Sequence, residues 1–330
     1  MFEVLKRQTS NGLQTLEPIS KSRTDPSRNQ RQMLRLPKVA VVVLNYNGKS
    51  LAEQCIRSVL NSGYPEKEII LVDNASTDGS LDYFRGLFPD VYGLANKENL
   101  GIAGGRNRGF IEAIRRGADY VLSLDNDTRI DPGLLDALIM AAESDPRIGV
   151  VGPKTYMDDN SGRMQCAGGK ITYTQNVCSE RGRGEIDRGQ YRRIEDVDYF
   201  PGFGFMARRE VFEKLNFLDE NFYGYGHEDT DFCLRAARLG YRVVYVPHAI
   251  LWHRGSATIG DYSPRKKYLE AVNSVYFVRK YAGRKQRIKY AFFAVFGLAY
   301  ALTVQSLRGN PLAVLAKARG LWDGFRKPTV

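Results

Sequence analysis

Apolar and polar positions along the first half of the chain switch repeatedly between two periods. Val39 to Leu44 is an unbroken, largely β-branched apolar run ending in Asn45-Tyr46-Asn47-Gly48, after which Leu51, Cys55, Val59 and Leu60 recur at helical spacing. The change of period predicts strand, loop, helix. The same alternation follows with a strand Glu68 to Val72 ending at Asp73-Asn74, a helix near Leu81 to Leu87 and a short strand around Val91 to Leu94. A helix from about Ala103 to Arg116 and a strand Tyr120 to Leu124 come next, and Asp131-Pro132-Gly133 reads as another helix start. Strands and helices alternating on this scale predict an α/β domain built on a mostly parallel, doubly wound sheet with helices on both faces.

Beyond Val151 the pattern becomes irregular. Gly162 to Gly189 is rich in Gly, Arg and polar residues and reads as a long excursion or β-ribbon over one face. Order returns with Val197 to Phe205, a short helix Arg208 to Lys214, and the aromatic and glycine-rich approach Phe222 to Gly226 into a helix carrying Phe232, Leu234, Ala236 and Leu239. A strand Arg242 to Val246 follows, with His253 in the loop beyond it, and a helix Pro264 to Tyr281. Tyr290 to Leu307 is apolar apart from Thr303, Gln305 and Ser306. Its eighteen residues are at the lower limit for a membrane span. A buried helix, or one lying in the membrane surface, is the expectation, and the flanking Lys285, Arg287, Lys289 and Arg308 favour the surface version.

Charge divides the chain in three. The net +11 is made of +5 in residues 1–38, +8 in residues 284–330 and −2 between them. Residues 1–37 read as a flexible basic arm, 38–283 as one nearly neutral α/β domain and 284–330 as a basic, apolar, helical region that associates with a membrane. No signal peptide is expected from the start of the chain. The four cysteines are far apart and lack metal-type spacing, which suits buried or free thiols in a reducing compartment.

The candidate chemistry sits at strand ends, where open α/β sheets bind ligands. Asp125-Asn126-Asp127 could turn two carboxylates toward one hard divalent cation, or could be a solvated turn. Asp73 could read a pyrimidine edge or a ribose hydroxyl, or form an Asx turn while Asp78 caps the next helix. The glycines of Gly101 to Gly109 do not fit a dinucleotide-binding loop. They suit a helix start that lets backbone approach a ligand, with Arg106 or Arg108 available for phosphate. His227-Glu228-Asp229-Thr230-Asp231 holds more carboxylates than capping needs, and one of them could act as general base. His253 could complete a metal held by Asp127.

Six segments occur together and in order: Val42 to Gly48, Asp73 to Ser80, Asn99 to Gly105, Leu124 to Thr128, Glu228 to Asp231 with Cys233-Leu234-Arg235, and Val246-Pro247 to His253. Through them, residues 38 to 255 resemble family 2 inverting glycosyltransferases of the GT-A fold, rhamnosyltransferase-like bacterial enzymes above all. The resemblance implies that Asn45 and Asp73 hold the nucleotide base and ribose, with Asn47, Asn74, Gly104, Arg106 and Asp125 in the donor site. It also implies that Asp125 and Asp127 form the metal motif, that His253 is a metal ligand, and that Asp229 is the base, with Glu228 as the other candidate. Arg106 stands where relatives often have Asn, and His227 where an aromatic or apolar residue is common.

The expected activity is therefore a Mg²⁺- or Mn²⁺-dependent hexosyltransferase. It would move a sugar from dTDP-rhamnose or a UDP-sugar to a hydroxyl of a saccharide or lipid-linked saccharide in cell-surface polysaccharide assembly. The expected location is the cytoplasmic face of a membrane, peripheral or monotopic through the C-terminal helix, with no nucleic-acid partner. The competing expectation is a nucleic-acid- or membrane-binding adaptor on an inactive scaffold, which would need none of the central carboxylates.

Overall fold

The computed structural model describes residues 35–255, 263–307 and 310–327. The arm expected over residues 1–37 lies outside the described residues apart from its last three. In chain order the first strands are β1 (Val39–Asn45), β2 (Lys67–Asp73), β3 (Tyr92–Ala95), β4 (Tyr120–Asp125), β5 (Thr128–Ile130) and β6 (Ile148–Met157). β7 (Met164–Cys166), β8 (Gly169–Ile171), β9 (Cys178–Glu180), β10 (Glu195–Asp196), β11 (Gly204–Arg208) and β12 (Arg242–His253) follow. The helices are α1 (Lys49–Leu60), α2 (Ser80–Leu87), α3 (Gly101–Arg115), α4 (Leu134–Glu143), α5 (Arg209–Leu215), α6 (Glu228–Arg238), α7 (Pro264–Tyr281), α8 (Arg284–Leu307) and α9 (Pro311–Arg326).

Ten strands form one sheet in the order β10-β12-β6-β11-β4-β1-β2-β3, with β5 on β12 and β7 on β6. The pairs around β1 and β2 are parallel, β12 is parallel to β6, and β11 runs antiparallel between β4 and β6. Along β1, Val39, Val41 and Val43 face a core shared with α1, α2 and α4, while Ala40 and Val42 face one shared with α3, α5 and α6. Side chains alternate faces along a strand, so a strand covered on both sides must be apolar throughout. That is why the Val39 run carries no polar alternation.

The glycines of α3 serve this packing. A Cβ on Gly109 would lie 2.4 Å from Val42 and 2.7 Å from Val72, and one on Gly105 would lie 2.7 Å from Leu44. Their absence of side chains lets α3 rest directly on β1 and β2.

Three segments differ from the sequence expectation. The helix expected from Asp131 begins at Leu134, because Thr128–Ile130 first pairs with β12 and the Asp131 amide donates to the Ile250 carbonyl. The excursion after residue 162 does contain the expected ribbon, β8 with β9, and departs from the expectation only in adding β7 to the main sheet. β12 does not stop at Val246: its register slips between Val246 and Ile250, then pairing with β6 resumes and pairing with β5 begins. His253 is thus the last residue of a strand and not part of a loop.

At the C-terminal end, α7 has the bounds the sequence predicts, and the apolar stretch lies inside α8. Arg284–Val304 is long and apolar enough to cross a membrane by length and composition.

Candidate active site

Three strand ends meet at one corner of the sheet, and a chain of side-chain hydrogen bonds crosses them. The Asn126 amide donates to Asn45 Oδ1 at 2.8 Å, and Asn45 Nδ2 reaches Asp73 Oδ1 at 3.4 Å. Asp73 Oδ2 accepts from the Ser76 amide, so the Asx turn expected as its bland reading is present. Asp78 binds the amides of Lys49 and Ser80 and so caps the starts of α1 and α2 together. Asn47 ties the loops after β1 and β2: its Oδ1 accepts from the Thr77 amide at 2.7 Å and its own amide donates to Ser76 Oγ. Asn74 uses both ends of its side chain. Its Oδ1 accepts from Asn96 and the Leu100 amide, and its Nδ2 donates to Asn99 and the Gly101 carbonyl. It lines the cleft beside the corner and fixes the entry to α3.

Asp125, Asp127 and His253 present ligand atoms that all lie within 4.8 Å of one another. Backbone pairing holds this group together: His253 is opposite Thr128 across β5 and β12, and the Arg254 amide donates to the Asp127 carbonyl at 3.0 Å. His253 Nδ1 faces Gln165 Oε1 at 3.1 Å, which makes Nδ1 the donor and turns the Nε2 lone pair toward Asp127 Oδ1, 3.2 Å away. Two lone pairs at that distance repel unless a proton or a cation lies between them. Burial raises the Asp127 carboxyl, but with a proton on Nε2 the His253 hydrogen bond and charge hold it below its ordinary value. An ionised carboxylate, a second one two residues before it and an imidazole oriented by Gln165 suit a divalent cation.

Arg106 is not placed for phosphate in this structure. It is 3 % exposed, with Nη2 donating to Asp125 at 2.6 Å and Nη1 to Glu228 at 2.9 Å. It bridges Asp125 to the start of α6. Arg108 points to solvent, outside the cleft lining. Gly104, expected in the donor site, packs against Leu100 and Glu220, and it is Gly101 at the helix start that borders the cleft. The helix turns Gly104 away because its Cβ position faces Leu100 and Glu220, the latter in the loop between α5 and α6.

The acidic cluster on α6 divides into three roles. Asp231 is fully buried and bonded to Arg235, Lys280 and Tyr281, a structural position. Glu228 is buried against Arg106; burial first and then the Asp229 charge push its carboxyl up to about 8 in spite of that arginine. Asp229 is half-buried, with Oδ2 accepting from the Gly202 amide at 2.7 Å and Oδ1 from Thr230. Burial raises it, while Arg106 and the amide bonds oppose the rise. Gly202 packs so closely on Arg106 that a Cβ there would fall 2.0 Å from its Nη1.

The cleft has a volume of about 470 Å³ and reaches from Asp125, Asp127 and His253 to Tyr223, Tyr225 and the first turn of α7. Arg265 and Lys266 line it there, and sequence reasoning missed both. A signal was available. Lys and Arg in the first turn of a helix oppose its dipole, which makes Arg265 and Lys266 stand out from the sequence.

The sequence profile described as Glycosyl transferase family 2 matches residues 40–216. The chain belongs to that family. A second profile, described as the N-terminal domain of galactosyltransferase, matches residues 191–257. Among curated relatives of this family 2 member is a Mycobacterium tuberculosis protein named N-acetylglucosaminyl-diphospho-decaprenol L-rhamnosyltransferase, 27% identical over 243 residues, which cover 67% of this chain and 78% of the relative. The probable glycosyltransferase YdaM of Bacillus subtilis is 24% identical over 69% of this chain and 53% of its own length. Among solved structures, S. aureus TarS 1-349 in complex with UDP-GlcNAc matches with a TM-score of 0.58 at 16% identity, covering 88% of this chain and 82% of that one. The mannosyltransferase PcManGT from Pyrobaculum calidifontis, in complex with GDP-Man and Mn2+, gives 0.54 at 19% identity over 92% and 82%. These likenesses show the GT-A fold.

Proposed function

We propose that the protein transfers a hexose, with inversion, from a nucleoside diphosphate sugar to a hydroxyl of a saccharide or lipid-linked saccharide in cell-surface polysaccharide assembly. The observation that carries the proposal is the Asp125, Asp127 and His253 group opening onto a cleft whose far wall bears Arg265 and Lys266. Mg²⁺ or Mn²⁺ bound there supplies charge neutralisation for a departing diphosphate. Asp127 and His253 hold the cation, Asp125 orients the sugar side, and Arg265 and Lys266 face the phosphates. Asn45, fully buried and bonded to Asp73 and Asn126, holds the corner that receives the base and ribose, with dTDP-rhamnose and UDP-sugars both accommodated there.

Asp229 takes the acceptor proton. Of the two candidates it is the one with access, since Glu228 is enclosed with Arg106. Its raised carboxyl brings it nearer the range where a general base works well. Residues 38–283 carry this chemistry. Residues 284–330 associate with the cytoplasmic face of a membrane, where a lipid-linked acceptor is presented; the mycobacterial relative's name supports that acceptor class.

The test is Asp229→Asn. Donor-induced, metal-dependent protection against thermal unfolding should persist, while turnover falls by about two to four orders of magnitude. Near-normal turnover would remove Asp229 from the base role. Full activity in excess chelator would remove the metal. An adaptor would keep its binding partners when Asp125, Asp127 and Asp229 are all neutralised.

A further inference from the structure

We propose that α8 and α9 form an in-plane plate on an anionic bilayer that holds the mouth of the cleft at the lipid surface, and that α8 does not span the membrane. The proposal rests on the membrane reading above and adds an orientation to it.

The direction of the three C-terminal helices sets that orientation. α9 lies along α7 in parallel: Gly320 abuts the Tyr268 carbonyl, Tyr268 donates to Asp323 at 3.0 Å, Gly324 abuts Val272, and Arg279 donates to the Gly324 carbonyl at 3.0 Å. Residue numbers rise together along both helices. Counting back from Gly320 at about 1.5 Å per residue, Leu315 stands level with the first turn of α7 and Leu312 about 5 Å past it. That first turn carries Arg265 and Lys266, the far wall of the cleft. α8 starts just after α7 ends, and only four peptide steps, at most about 14 Å, separate Leu307 from Pro311. α8 therefore returns toward the cleft end of α7.

A span is excluded by what α8 touches. Tyr290 and Ala294 are buried in a core with Val177, Phe222 and Phe277, and Gly297 sits against Gln175. Beyond Gly297 only ten residues of α8 remain, about 15 Å of helix, half the hydrocarbon thickness of a bilayer.

What α8 leaves uncovered is apolar. Phe292, Phe296 and Tyr300, spaced four apart, are 55–70 % exposed, and Leu312 and Leu315 on α9 are 68 % and 60 % exposed. Trp322 and Phe325 are exposed as well. The same region, residues 284–330, carries a net +8, and Arg284, Lys285, Arg287 and Lys289 at the start of α8 are all exposed. A second copy of the chain would bring +8 against +8. An anionic lipid surface offers the opposite charge together with an apolar layer for the aromatic and leucine side chains.

The full chain is mixed with phosphatidylcholine vesicles, with or without about a third of phosphatidylglycerol, and floated on a gradient. Binding should be at least about tenfold tighter to the anionic vesicles, and Phe296→Glu with Leu315→Glu should weaken it by at least about tenfold. Donor-induced thermal protection should be unchanged in that double variant, which separates a failed plate from a failed transferase. Environment-sensitive probes on cysteines placed at Phe292, Tyr300 and Leu315 should all be quenched more strongly by nitroxide lipids labelled near the headgroup than by those labelled at the chain ends. Probe depth that advances along α8 to the bilayer centre would overturn the proposal in favour of a span. Equal binding to neutral vesicles, no binding to either kind, or a dimer in solution that the double variant dissolves would also overturn it.

Discussion

Replacing Arg106 with Met keeps much of the side chain's volume and removes its charge, which isolates what the bridge between Asp125 and Glu228 contributes. Asp125 is 31 % exposed and water can take over its solvation, so the Glu228 arm, 4 % exposed, sets the cost. With its carboxyl near 8, Glu228 is mostly protonated at pH 7, and the loss there is one charged hydrogen bond, about 1.5–3 kcal/mol. Without Arg106 the Glu228 pKa moves higher still. Below both values the carboxyl is neutral in wild type and variant alike, and the stability gap does not change with pH through it. Above about 8 the wild type ionises against Arg106 while the variant must retain the proton, so the gap widens by up to about 1.4 kcal/mol per pH unit. Urea unfolding followed by circular dichroism at pH 7, 8 and 9 measures this. A gap that stays constant or narrows across that range would refute the compensation. Kinetics add a second arm: kcat should fall with donor KM little changed, whereas a raised KM at unchanged kcat would return Arg106 to the phosphate role that the sequence suggested.

Gln165→Leu removes the acceptor that orients His253, and the metal concentration for half-maximal activity should rise by about 10- to 100-fold with kcat at saturating metal nearly restored. A metal requirement that does not move would detach Gln165 from the site. Gly109→Ala drives a methyl into Val42 and Val72 and should lower stability by about 1–3 kcal/mol in a urea titration, with donor KM unaffected in the folded fraction. Because burial raises Asp229 and the base must be ionised, kcat/KM should fall as pH drops through a value above the ordinary aspartate range, and an acid limb at or below that range would contradict the base assignment.

Much of the sheet was legible because its strands are buried on both faces and its helices on one, so period and length separate them. β1 through β4 and α1 through α3 depend on little else. The places where the sequence misled share a cause in long-range pairing. β5 exists only because β12 arrives beside it, and β12 reaches His253 only because a register slip at Val246 lets pairing resume; neither partner is visible within a local window. The candidate site divides similarly. Asp125, Asp127 and His253 do come together in the structure, the three residues that the resemblance grouped. Arg106 and Gly104 were assigned from a glycine-rich helix start, and their actual neighbours, Glu228 and Glu220, lie more than a hundred residues away. Gln165, in the irregular excursion, offered no local signal at all.

The pairing of β5 with β12 also makes the chain divisible. A break in the surface turn between Arg188 and Gln190 would leave Asp125 and Asp127 on the first fragment and Asp229 and His253 on the second. Neither fragment alone holds Asp125, Asp127, Asp229 and His253 together, and reuniting them requires β11 to pair again with β4 and β6, and β12 with β5 and β6. The fold thereby contains a two-part reporter, in which sugar transfer would switch on only when two separately expressed polypeptides meet.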